Sequence, residues 1–460
     1  MTIEQSESEN ARSVQSLNLA SRLDRLPVSR WHHKTFLAIA GAFFVDSVDL
    51  AALTFVLSPI SDEFDLTGVQ TGLIGTLTLL GMFVGASVGG ALADIFGRRA
   101  VFQYSMFLWG SSSLLFAFAW DYPTVLILRF LIGVGMGAEF PVAQALMSEF
   151  APKRVRGKYI AFMEGGWPLG FVTAGALSWL LVPNYGWRSI YIVIFFLSMF
   201  VFIVRWIVPE SPRWYATQGR LDDAEATMQK IEDAVVSSRH GEPLPEPESP
   251  QHVEQVARKR ALSVLFSRDY RTRTMLAWAM WFGALLGYYG ITTWLSKLLT
   301  EAGMSVTASI GYVTLISLWG IPAFIAVAFF QERIGRKAML TIALIGTAVA
   351  AYVYGQMDSL GGVIVAGSFM QFFAFMMWAA LYTYTAEIFP TRARGAGCGT
   401  ASALGRLGAA LGPFLVPIIL ARGGVESVFL FAACVYLLAA GLVIFLGPET
   451  KQRALEEISR

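Results

Sequence analysis

Two acidic residues, Asp46 and Asp49, interrupt an apolar stretch near the beginning of the chain. They are three residues apart, so they lie on one face of a helix. If the stretch crosses a membrane, a charge at its midplane costs roughly 2.5–3.5 kcal/mol, and each acid needs a cation or a proton. Arg129 interrupts a later apolar stretch at a comparable depth. This pattern predicts a proton acceptor at Asp49, with Arg129 and Asp46 setting its affinity for protons.

Two further acids, Glu139 and Glu164, also fall within apolar stretches. Each is a candidate for proton coupling, and the equal alternative is a structural carboxyl that is hydrogen-bonded to neighbouring groups. For Asp49 and Arg129 the alternative is a permanent ion pair that joins two helices. A buried ion pair is a poor source of stability, which favours the coupling role.

Arg406 is the only basic residue predicted inside the membrane in the second half of the chain, and small residues surround it. A guanidinium group binds a carboxylate through two parallel hydrogen bonds, and the other deep arginine is assigned to Asp49. The sequence therefore predicts that Arg406 binds an anionic substrate. The alternative is that Arg406 pairs with an acid or with helix carbonyls in its own half.

Aromatic and amide side chains are candidates for the rest of a substrate site. Flat apolar faces with polar edges suit a small ring. The alternative for any single aromatic residue is packing in the core or at the membrane interface. The aromatic candidates are Trp167, Tyr288, Tyr289, Trp294, Trp378 and Tyr382, and the candidates for hydrogen bonds to a ring nitrogen or hydroxyl are Gln144 and Gln371.

The elements that must position these residues are membrane-spanning helices. Of the 460 residues, 55% are hydrophobic and 15% are charged, which is more apolar surface than one soluble core can bury. Apolar segments near the ~20 residues that cross a bilayer predict an all-α membrane protein with twelve transmembrane helices. The predicted helices are 34–57, 70–92, 100–119, 123–147, 159–182, 187–208, 273–299, 308–330, 337–356, 361–385, 396–420 and 425–446.

Two motifs occur twice in the chain, both at an offset of 238 residues: DIFGRR at 94–99 returns as ERIGRK at 332–337, and EFAPKRVRG at 149–157 returns as EIFPTRARG at 387–395. This repeat predicts two six-helix bundles of like topology. The predicted limits are a tail at 1–33, bundles at 34–208 and 273–446, a linker with surface helices at 209–272 and a tail at 447–460. Charged residues of the repeated motifs are predicted to act as gates: Asp94, Arg98, Glu149, Arg156, Glu332, Arg336, Glu387 and Arg394.

The distribution of basic residues predicts the orientation of the helices. Most of the 35 Lys and Arg residues fall in the termini and in the loops on one side, whereas Arg188, Lys297 and Arg422 lie on the other. Both termini are therefore predicted to be cytoplasmic, and the basic residues need no nucleic-acid partner. No hydrolytic triad, metal-ligand spacing or redox motif occurs, so the sequence predicts neither an enzyme nor a cofactor.

The repeated motifs resemble the major facilitator superfamily, and this resemblance covers nearly the whole chain. Within the superfamily, the chain resembles bacterial metabolite:proton symporters, in particular the niacin and aromatic-acid transporters. The residues that carry the resemblance are DSVDLAALTF at 46–55, RFLIGVGMGAEFPVAQALMSEFAP at 129–152, GYYGITTWL at 287–295 and YTYTAEIFPTRARGAGCGTASALGRLG at 382–408. The third of these stretches lacks the paired glutamines of a sugar porter. Ile95 is a departure, because the superfamily loop usually carries Arg there, and we expect a weaker ion network in the first half.

The resemblance implies a proton-coupling pair at Asp49 and Arg129, as in proton-coupled sugar porters. It implies a symporter that imports a small organic anion, such as nicotinate, together with protons by alternating access. The expected setting is a bacterial inner membrane, with the protein as a monomer. The alternatives are a sugar or sugar-acid symporter, a proton-driven exporter of cationic or amphipathic compounds, and a membrane nutrient sensor.

Overall fold

The computed structural model describes residues 19, 21–152, 154–239, 241–247, 263–357, 359–390 and 393–450, except for the side chain of Glu332. Every regular element in these ranges is a helix. In chain order they are α1 (Arg30–Glu63), α2 (Gly68–Phe96), α3 (Arg98–Phe116), α4 (Tyr122–Phe150), α5 (Arg156–Glu164), α6 (Gly166–Tyr185), α7 (Arg188–Ser198), α8 (Val201–Ile207), α9 (Pro212–Thr217), α10 (Leu221–Ser238), α11 (Arg271–Glu301), α12 (Val306–Ser317), α13 (Gly320–Ile334), α14 (Arg336–Gly355), α15 (Leu360–Glu387) and α16 (Arg394–Leu446).

The helices build twelve membrane crossings. Ten segments of the described chain are long and apolar enough to cross a bilayer, and three of them are the joined pairs α5–α6, α7–α8 and α12–α13. The segment α16 contains two helices, because its backbone leaves the helical conformation at Gly424. The remaining crossing is α3, which is less apolar because it begins with Arg98 and Arg99 and carries several serines. The predicted twelve-helix, all-α fold is confirmed.

The ends of the helices follow local sequence signals. Before α2, Thr67 and Gln70 form a reciprocal capping box, and Asp121 accepts a hydrogen bond from the Thr124 N–H at the start of α4. Most crossings are longer than their predicted apolar cores, since polar turns continue the same helix. The first crossing, for example, was predicted at 34–57 and extends over Arg30–Glu63.

The linker between the two bundles contains the surface helices α9 and α10. Glu232 of α10 pairs with Arg22 at 2.7 Å and with Arg25 at 2.6 Å, so α10 is attached to the segment that precedes α1. Burial raises the pKa of Glu232, but the hydrogen bonds and the charges of Arg22 and Arg25 together lower it by more, leaving it below its usual value. Residues 1–18 and 451–460 of the predicted tails, and residues 248–262 of the linker, lie outside the described residues.

The sequence repeat is also a structural repeat. Gly97 and Gly335 terminate α2 and α13 with φ of 102° and 107°, a conformation that glycine adopts far more readily than other residues. The backbone N–H groups that follow Gly97 donate to the Glu210 carboxylate, with Arg98 N at 3.0 Å from Oε1. A Cβ added at Gly335 would lie 3.2 Å from Glu449 Oε1. A carboxylate from the end of each bundle therefore lies against the same turn in both halves.

Candidate functional site

A cavity of about 570 Å³ lies between the two bundles. The first bundle contributes residues of α2, α4, α5 and α6 to its wall, and the second contributes residues of α11, α13, α15 and α16. Six of the predicted proton-coupling and substrate residues line it: Glu164, Trp167, Tyr289, Trp378, Tyr382 and Arg406. The packing of the two halves thus gathers residues that are up to 242 positions apart in sequence.

The cavity is open at one end of the bundles. Its wall extends to Gly157, Gln331 and Ala386, near the helix ends that carry the repeated motifs. At the opposite end the two halves are in contact: the Ser58 and Thr300 hydroxyls are 3.1 Å apart. Deeper between the halves, the Thr76 hydroxyl donates to the Ala410 carbonyl at 2.8 Å. The cavity therefore opens toward the side that the sequence predicts to be cytoplasmic.

Arg406 of α16 lies on the cavity wall without a counter-ion. Its Nη1 donates to Ser402 Oγ at 2.7 Å, and its guanidinium carbon lies 5.5 Å from the centre of the Phe140 ring, which the first bundle supplies. None of the ion pairs in the described part of the chain includes Arg406. A guanidinium group in this environment favours an anion that enters the cavity.

Aromatic residues form the wall beside Arg406. The rings of Trp378 and Tyr382 are stacked at 6.0 Å with an angle of 25°, and Trp281 meets Tyr382 edge-on at 5.0 Å. Tyr289 meets Trp378 edge-on at 6.2 Å. The Trp378 Nε1–H is buried and has no hydrogen-bond partner among the described residues. This wall presents flat apolar faces to the cavity, while the Trp378 Nε1–H is enclosed behind them.

Four of the predicted substrate residues do not line this cavity. Trp294 Nε1 donates to the Pro413 carbonyl at 3.0 Å, and Gln371 Nε2 lies 3.4 Å from Ser317 Oγ. Gln144 donates to Glu164, and Tyr288 packs edge-on against Trp378 at 5.3 Å and lines a separate, smaller pocket. In this conformation the four side chains contact other protein groups rather than the main cavity.

Sequence reasoning missed several residues of the cavity wall, among them Phe140, Trp281, Gln331 and Ser402. Three of them lie near the face of a predicted site residue on the same helix. Ser402 is one helical turn before Arg406, Phe140 is one turn before Gln144, and Trp281 is two turns before Tyr288. Gln331 lies on α13, where no substrate residue was predicted.

Asp49 and Arg129 form an ion pair away from the cavity, and neither side chain has any solvent exposure. Arg129 Nη1 lies 3.3 Å from Asp49 Oδ1, and the Ser113 hydroxyl donates to Asp49 Oδ2. Arg129 Nη2 donates to the Tyr191 hydroxyl at 2.7 Å. The guanidinium carbon lies 4.8 Å from the centre of the Phe116 ring. This pair joins α1, α3, α4 and α7 inside the first bundle.

Asp46 and Glu139 are buried near this pair, and neither forms an ion pair with a described residue. Glu139 Oε2 accepts a hydrogen bond from Trp109 Nε1 at 2.7 Å, whereas its Oε1 has no partner among the described residues. Asp46 Oδ1 has no partner there either. A buried carboxyl oxygen without a donor is costly when it is charged, which makes both groups suitable for holding a proton.

The predicted gate residues form ion pairs at the repeated positions. Arg98 Nε lies 3.5 Å from Glu149 Oε1, and at the equivalent positions of the second bundle Arg336 Nε lies 3.0 Å from Glu387 Oε1. Arg98 also pairs with Asp94 at 3.1 Å, so the first bundle forms its ion pairs although it has Ile95 in the loop.

The remaining predicted gates differ between the two halves. Arg156 forms its ion pair outside its own motif, with Asp24 at 2.6 Å in the segment before α1, while its Nε donates to the Ala151 carbonyl at 3.3 Å. Arg394 begins α16, and the Glu332 side chain lies outside the described residues.

Comparisons with known proteins agree with this arrangement. Residues 27–460 match the family model described as sugar (and other) transporter. The chain is 34% identical to the niacin transporter NiaP of Acinetobacter baylyi, covering 96% of this chain and 100% of that protein. It is 30% identical to the 4-hydroxybenzoate transporter PcaK of Pseudomonas putida, covering 89% and 90%. The inward open structure of the Escherichia coli xylose transporter XylE covers 93% of this chain and 99% of its own, with a TM-score of 0.74 and 20% identity, and so shows the fold.

A two-bundle helical fold, a cavity between the bundles and the match over residues 27–460 agree with one another, and the prediction of a transporter rather than an enzyme is confirmed. The chain belongs to the sugar (and other) transporter family, and it has the fold of a major facilitator superfamily protein, as in the xylose symporter XylE.

Proposed function

We propose that the protein imports a small organic anion together with protons, and that the anion is an aromatic or pyridine carboxylate such as nicotinate. The observation that carries this proposal is Arg406, a guanidinium group on an aromatic cavity wall with no carboxylate partner among the described residues. A substrate carboxylate would supply the missing charge, and its ring would lie against Trp378 and Tyr382. The names of the relatives NiaP and PcaK support this class of substrate.

Proton coupling is assigned to the acids of the first bundle. Protonation of Asp49 would remove its charge and weaken its attachment to Arg129, which lies 3.3 Å away. The neighbouring carboxyls Asp46 and Glu139 lie on α1 and α4 and offer further positions for a proton. Because the Asp49–Arg129 pair joins helices of one bundle, its protonation state acts on how those helices pack.

Transport would follow alternating access, with the two bundles rocking about the cavity. The described state opens toward the helix ends that carry the repeated motifs. The pairs Arg98–Glu149 and Arg336–Glu387 lie at these ends, each within its own bundle, and we assign the gating role to them. We place both termini in the cytoplasm and the protein in a bacterial inner membrane as a monomer.

Uptake into proteoliposomes tests this proposal. Purified protein is reconstituted, a pH gradient that is acidic outside is imposed, and the accumulation of labelled nicotinate is measured. We expect accumulation above equilibrium that disappears when the gradient is collapsed. Uptake that is indifferent to the external pH, or active extrusion of a lipophilic cation instead, would contradict the proposal.

Asp49→Asn separates coupling from binding. The asparagine cannot exchange a proton, so we expect exchange of labelled for unlabelled nicotinate to continue while accumulation against a gradient is lost. Normal accumulation in a folded Asp49→Asn protein would remove Asp49 from the coupling role. Asp222→Asn, at an exposed aspartate in the first turn of the surface helix α10, is a matched control that should accumulate nicotinate normally.

A further inference from the structure

A second ionisable residue, Glu164, lies on the wall of the cavity that contains Arg406. Glu164 is the last residue of α5 in the first bundle, whereas Arg406 is on α16 in the second. No ion pair joins the two side chains in the described structure. The cavity therefore has an acidic position on one bundle and a basic position on the other, and they do not neutralise each other.

The contacts of Glu164 leave half of its carboxyl group available. Gln144 Nε2 donates a hydrogen bond to Glu164 Oε1, which orients the carboxyl group. The other oxygen, Oε2, has no hydrogen-bond partner within the described ranges, and it is not enclosed by protein as Glu139 Oε1 is. A carboxyl group with a purely structural role usually has hydrogen-bond partners within the protein for both of its oxygens. The free Oε2 of Glu164 is instead available to a molecule in the cavity.

The aromatic wall connects the two positions. Tyr382 lies within electrostatic range of both Glu164 and Arg406, and its ring is stacked on Trp378. A flat substrate that lies along this wall, with its carboxylate at Arg406, presents the far edge of its ring toward Glu164. The Glu164 carboxyl group can then distinguish substrates by the polar atoms that they carry on this edge.

We propose that Glu164 is a specificity-determining residue that binds a polar atom on the edge of the substrate ring opposite the carboxylate. An ionised carboxyl accepts a hydrogen bond from a ring hydroxyl, and a protonated one donates to a ring nitrogen. The preferred substrates are then aromatic acids with such a second polar atom, and unsubstituted benzoate is a poor substrate. A site with a polar group discriminates strongly against an analogue that leaves the group unpaired. This inference rests on the proposed function.

Binding to purified full-length protein tests the assignment. The affinities of benzoate, 3-hydroxybenzoate, 4-hydroxybenzoate and nicotinate are measured by calorimetry for the wild type and for Glu164→Met, which keeps the length of the side chain without its oxygens. We expect the wild type to prefer at least one ring-polar acid to benzoate by about tenfold or more. In Glu164→Met the affinity for that acid should fall about tenfold to a hundredfold, while that for benzoate changes by no more than about threefold. An equal loss for all acids, or an unchanged preference, would overturn the proposal.

Two further variants test the assignment if Glu164→Met does not fold. Glu164→Gln keeps one acceptor and one donor, so it should retain much of the preference. Gln144→Leu removes the group that orients Glu164 and should reduce the preference by a smaller factor, with benzoate binding unaffected. A preference that is unchanged in both Glu164→Gln and Gln144→Leu would count against the assignment.

Arg406→Met distinguishes this inference from the proposed function. It should weaken the binding of every carboxylate, benzoate included. If the wild type binds no carboxylate, or binds them equally well without Arg406, the proposed function fails and the inference with it. If carboxylates bind through Arg406 but the ring preference does not depend on Glu164, only the assignment of Glu164 fails.

Discussion

The two bundles each contain one deeply placed arginine, and the two arginines have opposite environments. Arg129 of the first bundle has no solvent exposure, an aspartate at 3.3 Å, a tyrosine hydroxyl at 2.7 Å and an aromatic ring beside it. Arg406 of the second bundle faces the cavity, and among the described residues its one hydrogen bond is to Ser402 at 2.7 Å. The same residue type is part of the structure in one bundle and available to a ligand in the other.

This comparison shows that the partners of a buried charge, rather than its depth, indicate its role. A cation that is paired inside a bundle can respond only to changes of its partner, such as protonation. A cation that faces a cavity without a counter-ion can respond to an incoming anion. The two bundles thereby divide the work proposed for the protein into proton coupling and substrate binding.

The largest expected effect comes from removing the paired arginine. Arg129→Met leaves the Asp49 carboxylate buried and uncompensated, which should cost about 3–5 kcal/mol of the free energy of unfolding. Thermal unfolding in detergent measures it. The matched variant Arg406→Met should change the stability by less than about 1 kcal/mol, since it removes a charge that has no ionic partner to leave behind. Equal losses in the two variants would contradict the comparison.

The next effect concerns ligand binding. Arg406→Met should weaken nicotinate binding about tenfold to a hundredfold, which corresponds to the loss of charged hydrogen bonds. Arg406→Lys should restore part of it, because an ammonium keeps the charge but lacks the planar fork. Calorimetry with the three proteins provides the measurement. Unchanged affinity in Arg406→Met would mean that the cavity does not use this cation.

The repeated turns provide a test in which the two bundles should behave alike. Gly97 and Gly335 have φ of 102° and 107°, so alanine at either position should cost about 1–3 kcal/mol of stability. Gly97→Ala should be the worse, because its Cβ would overlap the Glu210 carboxylate, whereas at Gly335 the Glu449 oxygen is 3.2 Å away.

Gly441→Ala is the control for these two variants, since it has helical backbone and open space around it. It should not lower the melting temperature. A larger loss of stability in Gly335→Ala than in Gly97→Ala would contradict the role given to the Glu210 contact.

The smallest effects come from the hydroxyls that serve the two arginine sites. Ser402→Ala removes one hydrogen bond from Arg406 and should change nicotinate affinity by only a few-fold, with little change in stability. Ser113→Ala leaves a buried oxygen of Asp49 without its donor and should lower stability by about 1–3 kcal/mol. Parallel melting and binding measurements distinguish the two. A loss of stability in Ser402→Ala with a loss of binding in Ser113→Ala would contradict the roles given to Arg406 and Arg129.

Much of the fold was predictable from the sequence, because helices and turns depend on residues that are close together in the chain. A spanning helix is recognised by about 20 apolar residues, and a turn such as that at Gly97 by its glycine and the charges beside it. The prediction of twelve helices therefore holds, although the helices run beyond their apolar cores. The breaks at Gly165 in the fifth crossing and at Leu318–Trp319 in the eighth were not predicted, although Pro168 and Pro322 follow them. A proline has no N–H to bond the carbonyl four residues earlier, so these two prolines were a local signal for the breaks.

The site was only partly predictable. Arg406, Trp378, Tyr382 and Tyr289 line the cavity because the helix faces that carry them meet the space between the bundles. Trp294 is also aromatic but is hydrogen-bonded to the Pro413 carbonyl, and nothing in its local sequence distinguishes it from Trp378. Residue type and helical spacing identify candidates, but they do not say which face of a helix meets the cavity.

The sequence by itself determined that this chain spans a membrane twelve times, that its halves repeat, and that a few charges must lie in an apolar environment. Only the tertiary structure decided which charges meet. Asp49 and Arg129 are 80 residues apart and become neighbours because α1 and α4 pack together, whereas Arg406 is left with the cavity as its neighbour. Hydrophobicity and helical period act over a few residues, but the partner of a charge depends on how distant helices pack.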